Sequence, residues 1–133
     1  GLEDLDHEIA RAHRSMVNPL VIAYVDVVGL KAVNDTHGHG AGDALLQRAV
    51  NAIRGQLRSY DLIIRIGGDE FLAVMSGATM ENARQRFTAI HADLEAEGDG
   101  GEIKVGFAAL EPDDSAAELI ARADAELPPS SRP

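Results

Sequence analysis

The chain has 133 residues, 45% of them hydrophobic and 26% charged, with 12 basic against 22 acidic side chains and a formal charge of −10. A length of this order forms one domain, and so acidic a chain is excluded as a binder of nucleic-acid polymers or anionic membranes, which requires clustered Lys and Arg. It has no Cys, which rules out disulfides, thiolate nucleophiles and zinc–thiolate centres, and its only lysines are Lys31 and Lys104, so phosphate chemistry must lean on arginines, backbone amides or metal ions.

Leu2, Leu5, Ile9 and Ala12 recur at helical spacing and predict an amphipathic helix that stops before Asn18-Pro19. Leu20 to Val25 is apolar on both faces and rich in strand formers, which suits a strand inside a covered sheet with Asp26 at its end. A Gly-rich loop follows, from Thr36 to Gly42, and then Leu45, Ala49, Ile53 and Leu57 mark a second long helix. Asp61 to Ile66 and Phe71 to Met75 read as strands joined by the hairpin turn Gly67-Gly68-Asp69-Glu70. Met80, Ala83, Phe87, Ile90 and Leu94 give a third helix capped by Thr79 and broken at Gly98 to Gly101. Ile103, Val105 and Phe107 alternate with Lys104, Gly106 and Ala108 as a strand with one apolar face, and Ser115 with Glu118 forms a capping box for a last helix ending near Pro128-Pro129. The expected fold class is α/β (α+β): a central mixed, mostly antiparallel sheet flanked by helices. Residues 1–127 form the domain and 128–133 a flexible tail. The apolar runs are too short for a bilayer, which needs about 20 residues, and the acidic N-terminus does not read as a secretory signal, so a cytoplasmic domain without a membrane segment is expected.

Two acidic positions stand out. Asp26 ends the first strand, and Asp69 with Glu70 occupies the turn of a hairpin able to neighbour it; carboxylates from adjacent strand ends make a hard-oxygen site suited to Mg²⁺, although the same residues also suit a solvated turn. Gly67 and Gly68 leave room for a base or phosphate against the backbone. Asn34 and Asp43 flank the Gly-rich loop, and an amide beside a carboxylate can read guanine, the carboxylate accepting from N1–H and the 2-amino group; singly, Asn34 also suits a turn and Asp43 a helix cap. His37 and His39 lack companions for a metal site and read as loop residues, and His7, His13 and His91 as helix-surface residues. Arg65 suits either a structural ion pair or a catalytic role.

Gly67-Gly68-Asp69-Glu70-Phe71 resembles, letter for letter, the signature of the GGDEF family of diguanylate cyclases. Asp26, Leu30-Lys31, Asn34-Asp35, Gly38-His39 and Gly42-Asp43 are similar to its first-strand and guanine-site motif in order and spacing, and Ala123 to Leu127 to the start of its last helix. The resemblance runs from Leu2 to Leu127 and implies a palm-like nucleotidyl cyclase fold in which two protomers, each holding one GTP, meet as a homodimer and form cyclic di-GMP with release of pyrophosphate. It implies Mg²⁺, or Mn²⁺ in its place, on Asp26, Asp69 and the Val27 carbonyl. Catalytic roles fall to Asp69, Glu70 and Lys31, with Lys31 at the β/γ-phosphates, and GTP contacts to Asn34, Asp43, Gly67, Gly68, Gly29 and Leu30. Arg58 and Asp61 stand at the family's Arg-x-x-Asp inhibitory position, where arginine suits the phosphate and Hoogsteen edge of a bound product dimer.

The chain departs from that pattern in several places. Val28 stands where a second Asp is common, Gly29-Leu30 where an aromatic is common, and an N-terminal Leu-Thr-Gly-Leu-x-Asn-Arg element is absent, as is the N-terminal sensory domain that the resemblance implies as a partner. After Leu127 the family continues with Tyr and then a phosphate-gripping Lys and Arg; here Pro128-Pro129 intervenes, Ser131 replaces the Lys, and Arg132 is the remaining basic residue. Losing one charged hydrogen bond of about 1.5–3 kcal/mol weakens GTP binding tenfold or more. Lys31 is thereby expected to be the one lysine at the phosphates, and a weak or inactive GGDEF-like module that binds GTP or cyclic di-GMP as a receptor or dimerisation domain is the alternative reading.

Overall fold

The apolar run after Pro19 becomes an eight-residue strand, β1 (Leu20–Val27), because both of its faces are covered. The computed structural model describes residues 1–14, 19–98 and 101–128. Around β1 the chain sets α1 (Leu2–Arg14), α2 (Leu30–His37), α3 (His39–Gln56), β2 (Leu62–Arg65), β3 (Glu70–Ser76), α4 (Met80–Glu97), β4 (Ile103–Ala109) and α5 (Ala116–Ala125). The sheet order is β2-β3-β1-β4, and the sheet expected to be mostly antiparallel is antiparallel at each described pairing.

Strand alternation divides the core into two layers. Val21, Ala23, Val25 and Val27 of β1 pack with Leu45, Ala49 and Ile53 of α3 and Ala83, Phe87 and Ile90 of α4. Leu20, Ile22 and Tyr24 pack on the other face with Leu5 and Ile9 of α1 and Leu119 and Ala123 of α5. Strand β4 was expected to have one apolar face, but Ala108 is buried on the second face too. There α5 comes so close that a Cβ at Gly106 would overlap the Ala123 carbonyl oxygen. The helix starts follow the capping residues: Thr79 with Asn82 and Ser115 with Glu118 each form a reciprocal capping box, a device worth about 0.5–2 kcal/mol per cap.

The main departure lies between residues 30 and 42, where a loop was expected from Thr36 to Gly42 and no helix before it. Leu30 and Val33 pack against the core, so that stretch winds into α2; Gly38, at φ +87°, breaks the helix, and α3 resumes at once through Gly40 and Gly42. Packing overrides the poor helix propensity of glycine: Gly42 is buried against Asn34, and any Cβ there would overlap the Asn34 side chain.

Candidate active site

Asp26 is the next-to-last residue of β1, opposite Glu70 on β3 and opposite Lys104 on β4. Alternation puts these three side chains in one row on the face that carries α1 and α5. The turn that follows β2 is drawn against this strand end, because the Val27 N–H donates to the Asp69 carbonyl at 2.8 Å. Arg65, read as either an ion-pair or a catalytic residue, clamps the turn: its Nε donates to the Gly67 carbonyl at 3.1 Å and its Nη2 to the Gly68 carbonyl at 2.7 Å.

A cavity of about 550 Å³ opens at this point, within the range of small-molecule sites. Asp26, Val27 and Asp69 form its sheet-side wall, and Gly29, Leu30 and Lys31 line it from the start of α2. Gly29 adopts φ +85° to turn the chain from β1 into α2. The first intrahelical bond of α2 runs from the Val33 N–H to the Gly29 carbonyl at 3.0 Å. The amides of residues 30–32 therefore have no carbonyl to meet within the helix, and such amides together with the helix dipole favour an anion. Leu127 and Pro128, just past α5, close the far side.

Six of the residues singled out from the sequence thus meet on one cavity: Asp26, Val27, Gly29, Leu30, Lys31 and Asp69. Asn34 and Asp43 do not line it; they lie on α2 and α3, where Asn34 packs on Gly42 and its Oδ1 is buried without a hydrogen-bond partner. Gly67 and Gly68 belong to the clamped turn. Glu70 is engaged by Tyr24, whose hydroxyl donates to Glu70 Oε2 at 3.0 Å. Burial first, then the Glu70 hydrogen bond and the charges of Glu70, Asp124 and Asp26, push the Tyr24 phenol up to about 12, so it remains a donor.

Asp35, Lys104 and Tyr24 were missed. Asp35 and Lys104 line the cavity, so Lys31 is not the one lysine there. Ser131 and Arg132 lie outside the described residues.

The donor set suits a hard divalent cation. Asp26, Asp69 and Val27 border the same space, although among the described residues no group of three or more His, Cys, Asp and Glu side chains is placed to hold a metal ion. An open oxygen site of this type leaves positions for water and substrate phosphate oxygens. His37 and His39 are exposed at the α2–α3 break.

Arg58 and Asp61 occupy a different place. The Asp61 side chain is fully buried and accepts the Arg58 backbone N–H at 2.9 Å and Arg86 Nη1 at 3.1 Å. The Arg58 side chain is exposed and donates to the Tyr60 hydroxyl at 2.8 Å. No described helix is long and apolar enough to cross a membrane.

The family model described as "Diguanylate cyclase, GGDEF domain" matches residues 2–130. The chain is 33% identical over 132 residues to the diguanylate cyclase DgcP of Pseudomonas aeruginosa, covering 94% of this chain and 20% of that protein. It superposes with a TM-score of 0.82 and 31% identity on the crystal structure of the diguanylate cyclase SiaD with its activator SiaC from Pseudomonas aeruginosa, over 94% of this chain and 50% of that one. A microbial GGDEF domain whose interaction with cyclic di-GMP has been described superposes with a TM-score of 0.79 and 35% identity, over 92% of this chain and 78% of that one. The chain spans about a fifth of the length of DgcP. With the sequence signature, the palm-like sheet and a cavity bordered by Asp26 and Asp69 in place, the chain belongs to the GGDEF-domain family of diguanylate cyclases.

Proposed function

We propose that this domain condenses two molecules of GTP into cyclic di-GMP. The observation that carries the reading is the convergence of the Asp26 and Asp69 carboxylates, the Lys31 ammonium group and the first turn of α2 on one nucleotide-sized cavity. In each of two steps a 3′-hydroxyl forms an ester bond to the α-phosphate of the other GTP, the α–β phosphoanhydride breaks, pyrophosphate leaves, and the hydroxyl proton passes to a carboxylate or to water. Because the nucleophile and the phosphate belong to different GTP molecules, two protomers must face each other.

The first-turn amides of α2 and Lys31 bind the phosphates. Asn34 and Asp43 read the guanine edge beside Gly67 and Gly68, and Glu70, fixed by Tyr24, supports the attacking hydroxyl. A divalent cation, Mg²⁺ in this reading with Mn²⁺ able to replace it, is held by Asp26, Asp69 and the Val27 carbonyl and supplies charge neutralisation at the α-phosphate. Residues 1–127 act as the working unit and 128–133 as its tail, on the cytoplasmic side where GTP is found. In the whole protein an N-terminal sensory domain governs their pairing. Product inhibition falls to the exposed Arg58, with Asp61 holding its loop from beneath through the Arg58 N–H and Arg86.

Incubation with GTP and Mg²⁺, followed by chromatography, tests the reading. Wild type is expected to yield cyclic di-GMP and Asp69→Ala none, and Arg58→Ala is expected to relieve inhibition by added product. GTP bound but never converted at high protein concentration would instead identify a receptor or dimerisation module, the reading that Pro128-Pro129 and Ser131 in place of the basic tail favour.

A further inference from the structure

The chain has two lysines, at 31 and 104, and both line the same cavity. They come from different walls: Lys31 is the second residue of α2, and Lys104 the second residue of β4. The cavity also receives three carboxylates, those of Asp26, Asp35 and Asp69, so without Lys104 a polyphosphate would meet them with one ammonium group to balance them.

Position makes the assignment more specific. Gly106 lies under the end of α5, where a Cβ would come within 2.8 Å of the Leu127 backbone nitrogen. Lys104 stands two residues along the same face of β4, about 7 Å away, and lines the cavity together with Leu127 and Pro128. In the pattern that the chain resembles, basic residues follow this point in the sequence; here two prolines and two serines separate Leu127 from Arg132. A lysine on the sheet is positioned by the strand that carries it, and Lys104 stands opposite Asp26 across the β1–β4 pair with a flexible four-carbon stem.

We infer that Lys104 is a substrate-binding residue that contacts the terminal phosphates of the bound nucleoside triphosphate and takes the part of a tail cation. The inference rests on the reading of this cavity as the GTP site and deepens it.

The test uses 3′-deoxy-GTP, which lacks the attacking hydroxyl and is not turned over, and 3′-deoxy-GMP, each with Mg²⁺, in calorimetric titrations of the whole chain. Lys104→Gln is expected to weaken the triphosphate tenfold or more while changing the monophosphate less than twofold, and Lys104→Arg to stay within a few-fold of wild type for both. Equal losses for both nucleotides, or no loss for either, would overturn the assignment and leave Lys104 as a structural neighbour of Asp26. A second measurement needs no substitution: in wild type, the triphosphate should shield the Lys104 amine from acetylation, read by mass spectrometry, and the monophosphate should not. Equal acetylation of Lys104 with either nucleotide would count against the inference. Wild type that binds neither nucleotide would overturn the GTP reading itself, an outcome distinct from a wild type that binds and a Lys104→Gln chain that binds equally well.

Discussion

The hydroxyl of Tyr24 donates a 3.0 Å hydrogen bond to Oε2 of Glu70, joining a buried residue of β1 to the first residue of β3 on the face that carries Asp26. The carboxylate beside the proposed metal site is thus oriented from within the core. Tyr24→Phe keeps the packing and removes only this donor. Turnover is expected to fall roughly three- to tenfold with the KM for GTP within twofold, at a stability cost of about 1–2 kcal/mol. Initial rates of cyclic di-GMP formation check this; a change confined to KM would contradict it.

Asp61 and Arg86 form a pair whose side chains are 0% and 13% exposed, whereas Arg11 and Glu8 pair at 3.7 Å with Arg11 69% exposed. Removing one partner of a buried pair strands a charge and costs about 3–5 kcal/mol, while an exposed pair contributes less than about 1 kcal/mol. Arg86→Met is therefore expected to lower the urea midpoint strongly and Arg11→Met hardly at all.

Gly42 is where α3 closes on Asn34. A methyl group at this point must push the two helices apart, because the overlap is with a buried amide. Gly42→Ala is expected to weaken GTP binding at least fivefold and to erode the preference for GTP over ATP, measured by competition between the two nucleotides.

Arg122 holds both oxygens of Asp114, Nη1 to Oδ1 at 2.6 Å and Nη2 to Oδ2 at 2.7 Å. These bonds, with the Glu111 N–H, keep the Asp114 carboxyl below its ordinary range against the opposing effect of burial. A depressed folded pKa means that the unfolded chain takes up the proton first as pH falls below about 4. The contribution is full above that pH and is lost as pH falls through the folded value. Asp114→Asn should therefore lower Tm at pH 7, by an amount equivalent to about 1 kcal/mol, and flatten the decline of Tm between pH 5 and 3.

Much of the scaffold was legible because its signals are local. The run from Leu20, the spacing of Met80, Ala83 and Phe87, and the Thr79 and Ser115 caps each specify an element within a few residues. Asp26 and Asp69 could be brought together on paper because both stand at strand ends. The short helix α2 and the first turn of α3 were not legible, since three glycines from 38 to 42 read as a loop and Leu30 and Val33 mark a helix only when they have a core to pack on. Lys104 was hidden for a different reason. A lysine alternating with apolar residues reads as a solvent face, and only the β1–β4 register brings it beside Asp26. Tyr24, in an apolar run, reads as packing, and its hydroxyl acquires a partner only when β3 pairs with β1. Asp61 was singled out with Arg58 by the Arg-x-x-Asp spacing alone, and only the fold shows that its side chain is buried on Arg86.

The most direct test of the account is the ratio and concentration dependence of products from GTP and Mg²⁺. Two pyrophosphates should appear for each cyclic di-GMP, and the rate per domain should rise with protein concentration as protomers pair, with Asp69→Ala inactive throughout. GTP recovered intact from a chain that demonstrably binds it, at every protein concentration, would contradict the cyclase reading.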